Sequence, residues 1–135
     1  MLSLELATAL REAGLAWKPA PGDRFAMPDR GLDDETFVLS NMTIQVHDLP
    51  EGTVIGFNGT TEWALDDVDK DEAIWLPGEN QLRSLLGGTF RRLERVDDGY
   101  QVVTSVLDHE ERFTADAPED AYARALLALI AAGRD

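Results

Sequence analysis

The sequence predicts an α+β fold: two antiparallel β-meanders joined by short helices, with N- and C-terminal helices packed on the sheet. Three observations lead to it. Two stretches, 36–57 and 90–115, carry β-branched and aromatic residues in short runs separated by turn residues. Near the C-terminus, Tyr122, Ala125, Leu126, Leu129 and Ile130 stand at the i, i+3, i+4, i+7, i+8 spacing of an amphipathic helix. Shorter helical signals that end in glycine occupy 3–14 and 79–88.

Taken in order, Ser3 caps a first helix that runs to about Ala13, with Leu6, Leu10 and Ala13 on one face and Gly14 as its left-handed stop. Leu15 and Trp17 fold back onto that helix. Two prolines and a glycine make 18–22 a loop, Asp23 to Met27 a short strand, and Pro28 to Glu35 an acidic surface loop. Phe37-Val38-Leu39, Thr43 to His47 and Thr53 to Phe57 form the first meander, in which Ile44 and Val46 face one way and Gln45 and His47 the other. Asn58-Gly59 breaks the third strand, and Thr60 or Thr61 caps a short helix carrying Trp63, Ala64 and Leu65. Beyond an acidic run, Ala73 to Leu76 is a strand ended by Pro77. Glu79 to Leu86 is a helix that buries Leu82, Leu85 and Leu86 before Gly87-Gly88 stops it.

The second meander comprises Phe90 to Val96, Tyr100 to Leu107 and Glu111 to Ala115, with Asp97-Asp98-Gly99 as its first turn. Its middle strand is apolar on both faces, which places it centrally. Asp116 caps the last helix, with Pro118 and Glu119 in the first turn. A chain of 135 residues can bury one continuous core without cross-links, so a single domain over 1–135 is expected. The element order also allows two similar halves, about 1–58 and 78–135.

Composition narrows the functions. Without cysteine, there is no disulfide, thiolate metal site, iron–sulfur cluster or cysteine nucleophile. The N-terminus has no basic and apolar signal pattern, and no apolar run approaches the ~20 residues of a membrane span, so a cytoplasmic location is expected. A formal net charge of -14 repels nucleic acid and anionic lipid. It leaves open a basic partner protein, a cation or, more weakly, mimicry of nucleic acid, and the first of these is the leading expectation.

The stretch Gly56 to Pro77 gathers an Asn-Gly turn, two tryptophans and the densest carboxylates. Its Asp67-x-Asp69-x-Asp71 spacing opens like a calcium loop, but the sixth position is Glu72 where glycine is required and the twelfth is Gly78 where a glutamate should ligate. The run therefore reads as a solvated acidic loop. His47 stands beside Asp48, and His109 sits in an acidic turn with Asp108, Glu110 and Glu111, yet neither belongs to a three-ligand zinc pattern. No nucleophile elbow, phosphate-binding loop or dinucleotide-binding turn occurs. Arg83, Arg91, Arg92 and Arg95 are read as salt-bridging to the acidic majority.

The residues Ala13-Gly14-Leu15-Ala16-Trp17, Gly22-Asp23-Arg24-Phe25, Gly56 to Leu65 and Trp75-Leu76-Pro77 carry a resemblance over most of the length. There the chain resembles a group of short uncharacterised proteins of actinobacteria and similar GC-rich bacteria, some of which bear a pilus-assembly label. The resemblance implies a bacterial protein and supplies no catalytic residues.

The expected function is a non-enzymatic, protein-binding or regulatory module that needs no metal or cofactor. Its candidate contact residues are Asn58, Glu62, Trp63, Asp66, Asp67, Trp75 and His47. The alternative is a small-molecule-binding protein or metal-assisted hydrolase, with a pocket beside Trp63 and Trp75 and Glu62, Asp66, Asp67 and His47 as its polar groups.

Overall fold

The structure, a computed structural model, describes residues 1–28, 32–39, 44–49, 52–57, 67–69 and 73–133, with side chains at 1–28, 36–39 and 73–133. It is an α+β fold of helices and three-stranded antiparallel sheets. The chain divides into two compact units, one made of Met1–Leu15 with Leu76–Asp135 and the other of Ala16–Trp75.

The first unit opens on helix α1 (Leu4–Glu12), where the Ser3 hydroxyl accepts from Leu6 N at 3.3 Å. Gly14, at a φ of 108°, lets the chain reverse, and Leu15 N then donates to Leu10 O at 3.0 Å. The helix buries Ala7 and Leu10, whereas Leu6 and Ala13 of the expected face are half-buried. Its roll is set by the C-terminal helix α3 (Pro118–Gly133): Ser3 N donates to Asp120 Oδ1 at 2.8 Å, and the Met1 amino group lies 3.3 Å from Glu119 Oε2. Helix α2 (Glu79–Leu86) buries Leu82 and Leu86, and the Gln81 side chain reaches back to accept from Gly78 N at 2.8 Å. Leu85 is 39% exposed, contrary to expectation. Because α2 meets α3 through its i, i+4 pair, a position rotated by about 100° from Leu86 turns outward.

Strands β7 (Phe90–Val96), β8 (Gly99–Val106) and β9 (His109–Ala115) form the sheet of this unit, with β8 central. The central place explains the two-sided apolar pattern, since Val102 and Val103 point to opposite faces and both are buried. Helix α3 packs on β8 and β9, and α1 and α2 pack on α3. Tyr122 of α3 stacks on Phe90 with ring centroids 5.6 Å apart. Pro118 occupies the first helical position as expected, but the residue before it is Ala117, whose carbonyl accepts from Ala121 N; the Asp116 cap is not realised.

At the start of β8, Gly99 lies against the β9 backbone. A Cβ there would fall well inside van der Waals contact with the Ala115 carbonyl oxygen. Gly99→Ala is therefore expected to destabilise the first unit by about 1–3 kcal/mol in chemical denaturation.

The second unit holds two sheets. In one, β1 (Arg24–Met27) lies between β2 (Leu32–Val38) and β6 (Ile74–Trp75); in the other, β4 (Gly52–Phe57) lies between β3 (Ile44–Leu49) and β5 (Asp67–Asp69). Three sequence expectations change here. The Phe37 strand pairs with β1 and not with the 44–49 strand, because Phe25 meets Phe37 on one side and Trp75 on the other as aromatic cross-strand pairs. Residues 32–35 belong to that strand and not to an acidic loop: Thr36 pairs with Ala26 and Leu32 with Met27, and the low-propensity Asp33, Asp34 and Glu35 fall at the irregularity in register between those pairs. Residues 67–69 of the acidic run likewise form a strand on β4. The short helix expected around Trp63 lies outside the described residues.

Candidate functional site

Of the predicted contact residues, Asn58, Glu62, Trp63 and Asp66 lie outside the described residues. His47 stands in β3 opposite Val54, and Asp67 in β5 opposite Gly56. Strand β4 separates their strands, so the backbone sets them about 10 Å apart across the sheet and offset by two residues along it. Register also aligns His47, Val54 and Asp69 in one row across the sheet. Trp75 belongs to β6 of the other sheet of the unit.

Trp75 sits in an aromatic cluster. Its ring stacks with that of Trp17 at a centroid distance of 6.5 Å, Trp17 meets Phe25 at 5.6 Å, and Phe25 stacks on Phe37 at 5.5 Å. Met27, Leu39 and Ala73 complete this core. The two indoles differ in polar partners. Trp17 Nε1 donates to the buried Asp23 Oδ2 at 2.9 Å, and the same oxygen accepts from Ala20 N at 3.1 Å. Trp75 Nε1 is buried and finds no acceptor among the described residues. Asp23 thus holds the 17–23 loop shut over the cluster, and its backbone is tied to Leu39, which donates to Asp23 O at 2.9 Å. Sequence reading passed over Asp23 as a mere strand start; the available signal was a lone acid within a Pro-Gly loop between Trp17 and Phe25.

In the first unit, one face of the β7–β8–β9 sheet carries a charged mosaic. Register places Arg92, Val103 and Arg112 in one row and Glu94, Gln101 and Thr114 in the next. Arg92 bonds Glu94, Arg112 donates to Glu110 at 3.0 Å, and Gln101 donates to Glu94 at 3.2 Å. The hydrogen bond from Arg92 holds the Glu94 carboxyl below its usual range, and Glu94 in turn raises Arg92. The other arginines of the expected salt-bridging group do different work. Arg83 lies over the Phe90 ring, Arg95 over Tyr100, and Arg91 donates to the Gly88 and Phe90 carbonyls.

His109 begins β9 instead of occupying the turn, and it is exposed, with Nε2 3.8 Å from Glu111 Oε1. The turn residues are Leu107 and Asp108, both at positive φ, and Leu107 is 96% exposed. Assigning Leu107 to the strand had hidden this. Among the described residues, no group of three or more His, Cys, Asp or Glu is placed to hold a metal ion, and no helix is long and apolar enough to cross a membrane.

Tyr122 is the titrating group of the helical core. Burial raises its pKa, and the nearby Glu79 charge adds to the shift; its hydroxyl donates to Glu79 Oε1 at 3.4 Å. A raised folded-state value means that the contribution is fully present below the unfolded tyrosine value of about 10 and is lost as pH rises through the folded value. Stability is therefore expected to fall on the alkaline side, and Tyr122→Phe should flatten that limb in denaturation curves recorded against pH.

No family model matches the chain, and no curated protein or solved structure matches it.

Proposed function

We propose that the chain is a non-enzymatic, cytoplasmic module that binds or regulates another protein through its acidic surface. The observation that carries this function is the formal net charge of -14. A charge of that size steers a basic partner into contact and repels anionic ones. The mosaic of Arg92, Glu94, Glu110 and Arg112 adds an exposed sheet face on which charge is ordered by side-chain bonding. The test is capture from native lysate on the immobilised chain, run beside turnover assays on small molecules. Specific recovery of a protein without turnover is the expected result; turnover with no protein recovered would overturn it.

One observation favours the alternative of a small-molecule-binding protein or metal-assisted hydrolase beside Trp63 and Trp75. Among the described residues the buried Trp75 N–H has no acceptor, and because a buried unmet donor is costly, a ligand that supplies one is favoured. Thermal shift read by tryptophan emission, against divalent cations and a metabolite panel, separates the two functions. A ligand that stabilises the chain and shifts Trp75 emission supports the alternative; no stabilisation argues against it.

A further inference from the structure

The β8–β9 hairpin turns through only Leu107 and Asp108, since Val106 pairs with His109. Their φ values are 50° and 65°, the signs of a type I′ turn, whose positions favour Asn, Asp and Gly. Asp108 suits its place. Leu107 does not, because in the left-handed region its Cβ crowds the following carbonyl. Burial does not offset that strain: Leu107 is 96% exposed and the adjoining Val106 is 42% exposed. The other hairpin of the same sheet turns on the polar pair Asp97-Asp98, so this sheet does not require an apolar turn residue. A leucine here serves neither the turn nor the core; it presents an apolar knob at the end of a two-stranded projection.

The charge around the knob decides its occupant. Asp108, Glu110 and Glu111 lie beside it; Glu110 is engaged by Arg92 and Arg112, whereas Glu111, half-exposed, meets only the exposed His109 at 3.8 Å, so Asp108 and Glu111 are the two of the three not held by arginine. A second copy would bring like charges together, on a chain whose net charge is already -14. Nucleic acid and anionic lipid meet the same repulsion. We propose that Leu107 anchors a partner protein through an apolar pocket rimmed by lysine or arginine, with Asp108 and Glu111 pairing to the rim. The proposal rests on the protein-binding function above and names its contact surface. A central apolar anchor within a charged rim matches the usual division between affinity and steering at interfaces.

The test uses the full chain carrying a photoreactive leucine analogue at position 107, with the same analogue at Leu85 as an exposed control, irradiated in native lysate. The expected adducts form from 107 and not from 85, on a partner segment in which apolar residues are flanked by Lys or Arg. Leu107→Asn suits a left-handed turn position, so its thermal midpoint should equal or exceed that of the parent chain while capture falls by about tenfold or more. Asp108→Asn with Glu111→Gln should weaken capture and reduce its salt dependence. Unchanged capture by Leu107→Asn, or equal adducts from 85 and 107, would overturn the hairpin assignment and leave the protein-binding function standing. Adducts to a second copy, or to a segment without cations, would overturn the partner class. Failure of the parent chain to capture any protein would remove the protein-binding function itself and this inference with it.

Discussion

Leu82→Ala is expected to lower the stability of the first unit by about 2–5 kcal/mol. Leu82 is fully buried on α2, where it and Leu86 face α3. Truncation removes the transfer free energy of the side chain and leaves a cavity that neighbouring elements fill only in part. The position lies between α2 and α3, and α3 in turn covers β8 and β9, so loosening α2 exposes the stacked Tyr122 and Phe90 as well. All the α-helices among the described residues belong to this unit. Far-UV circular dichroism at the helical minimum therefore follows it, and the loss should appear as a lower denaturation midpoint. Leu85→Ala, two-fifths exposed on the same helix, is the control and should cost far less.

In the second unit the largest expected effect belongs to Asp23→Ala, at about 2–4 kcal/mol. The substitution leaves the buried Trp17 indole N–H without its acceptor, and Ala20 N loses the same oxygen. A buried donor left unmet costs about 1–3 kcal/mol, more than a satisfied bond contributes net. The three tryptophans, Trp17, Trp63 and Trp75, all fall within Ala16–Trp75, so tryptophan emission reports this unit and not the helical one. Emission should shift towards that of exposed indole at lower denaturant in Asp23→Ala, while Asp23→Asn, which keeps an acceptor oxygen, should recover part of the loss. An unchanged midpoint in both variants would mean that the 17–23 loop is held by packing alone.

Local signals made the first unit legible in the sequence. Ser3, Gly14, the Gly87-Gly88 stop and the Asp97-Asp98-Gly99 turn each act within a few residues, and α1, α2 and β7 stand close to where those residues place them. The roll of α1 was not legible, because it depends on Asp120, more than a hundred positions away, accepting from Ser3 N. The second unit was harder for the same reason. Pairing of β1 with both β2 and β6 is set by Phe25 meeting Phe37 and Trp75, and propensity within one run carries no information about its partner strand. The acid-rich residues 33–35 and 67–69 read as loops because carboxylates disfavour strands, yet 67–69 pair directly with β4, and 33–35 are carried within β2 by the paired Leu32 and Thr36 on either side of them. At the candidate site, Trp75 is named from sequence as a contact residue, but its difference from Trp17 rests on one acceptor, Asp23, which only the folded loop brings to Trp17. The exposed turn at Leu107 was missed because a leucine after an alternating strand continues the pattern; only its positive φ shows that the strand has already ended.

The most direct measurement of protein binding through the acidic surface is the association rate of the captured partner with the purified chain as ionic strength is raised from about 0.05 M to about 0.5 M. Electrostatic steering predicts a fall in the association rate of about tenfold or more, with the dissociation rate changing much less. An association rate that is independent of salt, or that rises with it, would contradict a contact driven by the charge of this chain.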